Sequence, residues 1–216
     1  MSLLRRGAGR CFPNPWWLGA LRLAGGLVAL LALGCAAMAI EDELDEAHAI
    51  AELQRGGNVV YLRHAARFAG PREKLDRWSS AAQFADCRRQ RNLTPEGQVQ
   101  AREIGAYWRM LRIPVQRVIA NAPCRTRDTA ILAFGAAEVD PRLFDVDFLR
   151  QLTLQPVPAG TNTVIVGSDS QLRDLTGVDL GFAEVALLKP DGKGGVTVVA
   201  RLDVDDWADA AEPGWW

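Results

Sequence analysis

The sequence predicts an α/β fold: a three-layer sandwich with a mostly parallel central sheet and an antiparallel edge hairpin. Three observations carry this expectation. Short apolar runs (NVVYL from Asn58, QRVIAN from Gln116, TNTVIVG from Thr161) are each followed, after a polar segment, by a stretch of helical period. That order builds parallel strands joined by crossover helices. The stretch AEVALLKPDGKGGVTVVARL, Ala183 to Leu202, alternates on both sides of Asp191-Gly192, as a hairpin does. Finally, 216 residues, 49% of them hydrophobic, suffice for one sizeable core and not two.

From the amino terminus, residues 1–39 carry four arginines (Arg5, Arg6, Arg10, Arg22), no acid, and an uncharged apolar run from Leu23 ending in Ala37-Met38-Ala39. This reads as an export signal cleaved after Ala39. Two rivals stand beside it. Leu33-Gly34-Cys35 is a loose lipoprotein site, and the run of 17 residues is near the lower limit of roughly 17 to 25 for a membrane anchor. In each case the domain from Ile40 to Trp216 is expected outside the cytoplasm, in the periplasm or an equivalent space.

Glu41 to Arg55 is rich in Ala, Glu and Leu and lacks Gly and Pro, which predicts a helix stopped by Gly56-Gly57. Asn58 to Leu62 follows as a short buried strand. Residues 65–92 are polar and Arg-rich, as in a covering loop. Thr94 can then cap a helix whose first turn holds Pro95 and Glu96, suited there by fixed φ and by charge against the dipole. Ile104, Trp108 and Leu111, with Tyr107, recur at its helical spacing. Gln116 to Asn121 is the second strand, with TRDTAILAFG its helix, closed by Gly135. Thr161 to Gly167 is the third, feeding SDSQLRDLTG. Trp207 is expected to pack a last short helix on the core, and Trp215 and Trp216 to form a frayed tail.

The net charge of −1 conceals an asymmetry: beyond residue 39, 21 basic and 26 acidic residues leave −5. Such a body repels nucleic acid and anionic lipid, so a bound anion needs a local arginine cluster. In open α/β sheets ligands gather at the carboxyl ends of the strands. Those ends carry Arg63-His64, Asn121 leading to Arg125, and Gly167-Ser168-Asp169. For a phosphate monoester, Arg63, Arg67 and Arg125 offer forked, permanently charged donors. With 22 arginines and 3 lysines in the chain, position rather than residue type carries the weight. His64, one of only two histidines, sits between them. A neutral imidazole there attacks phosphorus with one nitrogen while a backbone carbonyl holds the other. The bland alternative is a core histidine satisfied by hydrogen bonds.

Leu62-Arg63-His64-Ala65-Ala66-Arg67 resembles the Arg-His-Gly motif of the histidine phosphatase superfamily. RNLTPEGQVQAREIG resembles that family's Leu-Thr-x-x-Gly helix, NAPCRTRDTA its Ser-x-Pro-x-x-Arg-x-x-x-Thr-Ala segment, and VIVGSDSQLRDLTG its third core strand and turn. The four lie in the family order and span most of Asn58 to Leu202. The resemblance implies a phosphoglycerate-mutase-like fold, His64 as nucleophile, and Arg63, Arg67 and Arg125 as phosphate-binding residues. Ala65 stands for the motif glycine and Asn121 for its usual serine.

One departure is larger. Members of the family typically place a second histidine where this chain has Ser168, and that residue donates to the phosphoryl oxygens in the transition state. His48 lies ahead of the first strand, away from the carboxyl edge. Losing one such donor typically lowers the rate about 10² to 10³-fold. Asp169 follows, at a position where some branches carry a leaving-group acid; a helix N-terminal acid stabilised by the dipole is the plainer alternative.

Two functions follow: an exported phosphomonoesterase weakened by Ser168, or a pseudophosphatase binding a phosphorylated ligand or partner. The expected partner is a small phosphorylated substrate or a phosphoprotein, with no nucleic acid, and membrane contact only through an N-terminal anchor. No cofactor is expected, and a metal is not, given no close His/Cys/acid cluster. Asp191-Gly192-Lys193-Gly194-Gly195 lacks P-loop spacing and reads as a turn. Cys87 and Cys124, an even pair beyond the signal, suggest one disulfide in an oxidising compartment, with two unrelated buried thiols as the alternative.

Overall fold

The structure is a computed structural model that describes residues 43–71, 73 and 80–212. Segment 1–39, read above as a signal or anchor, and Trp215 and Trp216 lie outside the described residues. Six strands form one sheet: β1 (Asn58–Arg63), β2 (Val115–Ala120), β3 (Glu138–Val139), β4 (Asn162–Gly167), β5 (Val185–Pro190) and β6 (Val196–Leu202). Their order is β3-β2-β4-β1-β5-β6. The first four positions pair in parallel, while β5 is antiparallel to both β1 and β6. The expected sheet with its edge hairpin is therefore present. The Asp191 carboxylate closes the hairpin by accepting from the backbone N–H of Lys193 and Gly195, at 2.7 and 2.8 Å.

Alternation along β1 divides the core into two layers. Val60 and Leu62 face one apolar cluster with Ile104, Trp108 and Trp207; Val59 and Tyr61 face the other with Leu149, Leu152 and Leu172. The first cluster is covered by α1 (Glu46–Arg55), α3 (Pro95–Met110), α4 (Cys124–Phe134) and α7 (Val204–Ala211). The second is covered by α5 (Val146–Thr153) and α6 (Asp169–Thr176). A strand apolar on both faces suits a sheet covered on both sides.

Several boundaries differ from the sequence expectation. Helix α1 starts at Glu46 rather than Glu41, because Asp45 caps it by accepting from the His48 N–H at 3.0 Å. The expected loop 65–92 contains a short α2 (Ala81–Ala85), capped by Ser80, and a 3-10 turn at Cys87–Arg89. Strand β3, helix α5 and a 3-10 turn at Pro141–Phe144 were not expected. In α3, Thr94 caps as expected, its hydroxyl accepting from the Gly97 N–H at 3.1 Å. Gly97 has a steric reason: a Cβ there would overlap the Ala66 carbonyl, so only glycine lets this helix press on the chain leaving β1.

At the amino ends of β1 and β4, Asn58 and Asn162 are 1% and 0% exposed. Asn58 Nδ2 donates to the Glu52 carbonyl (2.9 Å) and Asn162 Oδ1 (3.1 Å), and Lys189 Nζ donates to Asn58 Oδ1 (2.6 Å). Asn162 Nδ2 donates to the carbonyls of Leu53 (2.7 Å) and Pro114 (2.8 Å). These two amides fasten α1, β1, β4 and the approach to β2 together.

Candidate functional site

Strand register brings the three predicted segments to one edge. Arg63 pairs with Gly167, the His64 N–H donates to the Gly167 carbonyl at 2.9 Å, and the Asn121 N–H donates to the Val166 carbonyl at 2.9 Å. Ser168 therefore follows directly beside His64. The chain after His64 is pinned by two helices. The Ala65 N–H donates to Thr129 Oγ1 (3.1 Å), whose hydroxyl donates to the Arg125 carbonyl (2.7 Å), and the Ala66 N–H donates to Gln100 Oε1 (3.0 Å). Thr129 thus ties the loop after His64 to the helix that carries Arg125.

His64 is 2% exposed and its Nδ1 stands 2.9 Å from the Ala65 carbonyl oxygen. A carbonyl only accepts, so Nδ1 carries the proton and Nε2 keeps its lone pair. Burial pushes the ring's pKa down to about 3, and the charges of Arg125, Arg63 and Arg67 push the same way. The imidazole is neutral throughout the physiological range.

The arginines differ in how they are held. Arg63 donates to the Leu180 carbonyl, lies 4.2 Å from the Phe182 ring centroid, and stands 3.9 Å from Asp169. Arg67 is half-buried, donates to the Phe68 carbonyl at 3.1 Å, and lies 5.8 Å from the same ring. Arg125, in the first turn of α4, is 4% exposed. Burial lowers its pKa to about 10, against an opposing contribution from Glu73, so it remains a cation. Arg63 Nε, Arg125 Nε and Asn121 Nδ2 are buried donors without a partner among the described residues. Buried donors of this kind are uncommon in folded chains.

Sequence reasoning missed three contributors. Arg91 donates its backbone N–H (2.6 Å) and Nε (2.7 Å) to Glu73, whose Oε1 also accepts from Arg125 Nη1 at 3.2 Å. Arg91 lowers the pKa of both Arg67 and Arg125, which places its charge in the same cluster. Its available signal was its place immediately before Asn92-Leu93-Thr94. Glu73 had no signal beyond being an acid in an Arg-rich stretch. Tyr61 donates its hydroxyl to the Ser168 carbonyl at 2.8 Å, holding the turn into α6.

Ser168 is 9% exposed and occupies the N-cap position of α6, its N–H bonded to Gln171 Oε1 at 3.3 Å. Asp169 opens the helix and faces Arg63 and Arg173 at 3.9 and 4.0 Å. His48 is exposed on α1 and bonded to Asp45 at 2.7 Å, so it does not stand in for a second histidine. Cys87 and Cys124 form a disulfide of 2.03 Å, with Cα atoms 5.8 Å apart. It joins the 3-10 turn to the first residue of α4, beside a hydrogen bond from the Cys124 N–H to Gln90 Oε1 at 2.9 Å. Among the described residues no group of three His, Cys, Asp or Glu side chains could hold a metal.

In structure the chain is similar to solved phosphatases. The protein histidine phosphatase SixA complexed with tungstate shares 16% identity with it over 69% of this chain and 98% of that one, with a TM-score of 0.47. Phosphoserine phosphatase from Entamoeba histolytica, in complex with 3-phosphoglyceric acid, shares 10% over 69% and 98%, with a TM-score of 0.45. No protein-family model and no curated protein matches the sequence. Function is therefore read from the side chains at the strand tips.

Those side chains permit one chemistry directly. A tetrahedral anion held by guanidinium groups would present phosphorus to a neutral, buried ring nitrogen.

Proposed function

We propose that this chain is a phosphomonoesterase acting through a phosphohistidine on His64, of the histidine phosphatase type that its four ordered motifs resemble. The observation that carries the reading is the His64 ring: buried, neutral, oriented by Ala65, and within the field of Arg125, Arg63 and Arg67. Nε2 attacks phosphorus, the bond to the leaving oxygen breaks, and that oxygen takes a proton from water, or from Asp169 in the fraction of molecules where that carboxyl is protonated. Water then attacks the phosphohistidine, the P–N bond breaks, phosphate leaves, and His64 returns to neutral. Arg63, Arg67 and Arg125 hold the phosphoryl oxygens, and Arg91 joins them. The substrate is a small phosphorylated molecule or a phosphoprotein.

Ser168 favours a second reading, in which the pocket binds a phosphorylated ligand without turnover. A neutral hydroxyl replaces an imidazolium-type donor, a loss of about 10² to 10³ in rate, or roughly 2.7 to 4 kcal/mol. The full chain incubated with an aryl phosphate and with a phosphohistidine peptide separates the two. Turnover by wild type that disappears in His64→Ala supports the enzyme, and Ser168→His then accelerates it by the same factor. If wild type matches His64→Ala while Ser168→His turns over, the protein is a binder.

Residues 1–39 are the export segment of this proposal, cleaved, lipidated or retained as an anchor, and they place the domain in the periplasm. The Cys87–Cys124 bond supports an oxidising compartment. Fractionation of cells producing the tagged full chain checks it; recovery in the cytoplasmic fraction alone would reject export.

A further inference from the structure

The carboxylate of Glu73 is 6% exposed and fully engaged by two arginines. Its Oε1 accepts from the Arg91 backbone N–H (2.6 Å) and Arg125 Nη1 (3.2 Å); its Oε2 accepts from Arg91 Nε (2.7 Å) and Nη2 (2.6 Å). Two oxygens of one anion gripped by two guanidinium groups is the arrangement expected for a phosphoryl group at the same place. Arg125 is also the arginine whose charge acts most strongly on the His64 ring. The cation nearest the nucleophile in effect is thus already committed to an anion of the chain itself.

We propose that Glu73 is a resident competitor for the arginine cluster, an internal carboxylate that an incoming phosphoryl group displaces from Arg125 and Arg91 and that returns as phosphate leaves. The inference rests on the phosphate-binding reading above. Its charge balance is specific. Arg63, Arg67, Arg91 and Arg125 supply four positive charges, and Glu73 and Asp169 remove two, leaving a net of two. A phosphomonoester dianion entering in exchange for a monocarboxylate gains a full charge of attraction, whereas a singly charged ligand gains none. Displacement multiplies every apparent dissociation constant by the same factor, the inverse of the fraction of molecules with the cluster free. Weak monoanions then fall below useful occupancy while phosphoryl dianions remain bound. The returning carboxylate likewise limits retention of inorganic phosphate, the product of hydrolysis.

A brace that merely orients Arg125 would have the opposite signature, since its removal would weaken anion binding. Calorimetric titration of the full chain with inorganic phosphate and with tungstate decides between them. Glu73→Gln is expected to bind both probes about tenfold more tightly than wild type. KM for an aryl phosphate should fall by a similar factor with kcat little changed, and inhibition by added phosphate should strengthen. Glu73→Asp, which keeps the charge but withdraws it by one methylene, should tighten binding by a smaller amount, so the test survives if the glutamine variant folds poorly. Arg125→Ala should lose affinity in every background. Unchanged or weaker binding in both Glu73 variants, with wild type still binding phosphate, overturns the competitor and leaves the phosphate site standing. Absence of binding by wild type and both variants overturns the site and the competitor together.

Discussion

The two ends of the same parallel strands treat buried polarity in opposite ways. At the amino ends, Asn58 and Asn162 spend their amide groups on each other, on Lys189 and on the carbonyls of Glu52, Leu53 and Pro114. At the carboxyl ends, Arg63 Nε, Arg125 Nε and Asn121 Nδ2 are buried without a partner among the described residues, and a neutral histidine lies among guanidinium groups. An unsatisfied buried donor costs about 1–3 kcal/mol; Thr161 Oγ1 and the Trp108 and Trp207 indole nitrogens are single cases elsewhere, whereas three such donors gather around one buried histidine at the carboxyl ends. The closed network is architecture, and the open one holds the donors that the proposed phosphate site would use.

Substitutions can break or sharpen that contrast. The largest effect is expected at the open end: His64→Ala should lower kcat on an aryl phosphate at least about 10³-fold, and acid-labile phosphate should be trapped on wild type alone. Residual turnover in the variant equal to wild type would remove the contrast. A smaller effect of the opposite kind is expected at the closed end. Asn162→Ala removes one acceptor of the Asn58 amide and one donor each to the Leu53 and Pro114 carbonyls, which keep the Gly56 and residue-162 backbone N–H, so denaturant unfolding should show a loss of about 1–3 kcal/mol, with kcat per folded molecule unchanged. A matching loss of kcat would show that the two ends are not separable.

A third effect concerns pH and is gradual, spread over several pH units. The folded pKa of His64, pushed to about 3 chiefly by burial, lies below its unfolded value of about 6.5. The unfolded chain therefore takes up a proton first as pH falls. Stability from this group is complete above about pH 6.5 and declines toward pH 3, by at most about 1.4 kcal/mol per pH unit. Urea titrations between pH 7 and 4 should show this slope reduced in His64→Asn. Parallel slopes in the two proteins would mean that His64 is not a buried, neutral group.

Much of this arrangement was legible in the residues. The three strand tips could be placed because their apolar runs end abruptly at His64, Asn121 and Ser168, and parallel strands carry such ends to one edge. Helix α3 was legible through Thr94, Pro95 and Glu96, which act within one turn. What escaped depends on long-range contact. Arg91 was one arginine among 22, and only the fold brings it to Glu73 and Arg125. Strand β3 has two residues, too few for any period to show. Tyr61 looked like another apolar strand residue, since its bond to Ser168 spans 107 positions. The start of α1 was misplaced because Asp45 outcompetes the residues before it as a cap.

The Cys87–Cys124 bond closes 37 positions of chain, enough to remove about 4 kcal/mol of disorder from the unfolded state. It runs from the turn leading to Arg91 to Cys124, the fully buried first residue of the helix bearing Arg125. Like charges gathered at one place push apart the segments that carry them. A covalent strut between those segments holds the arginines together against whatever repulsion Glu73 and Asp169 leave uncancelled.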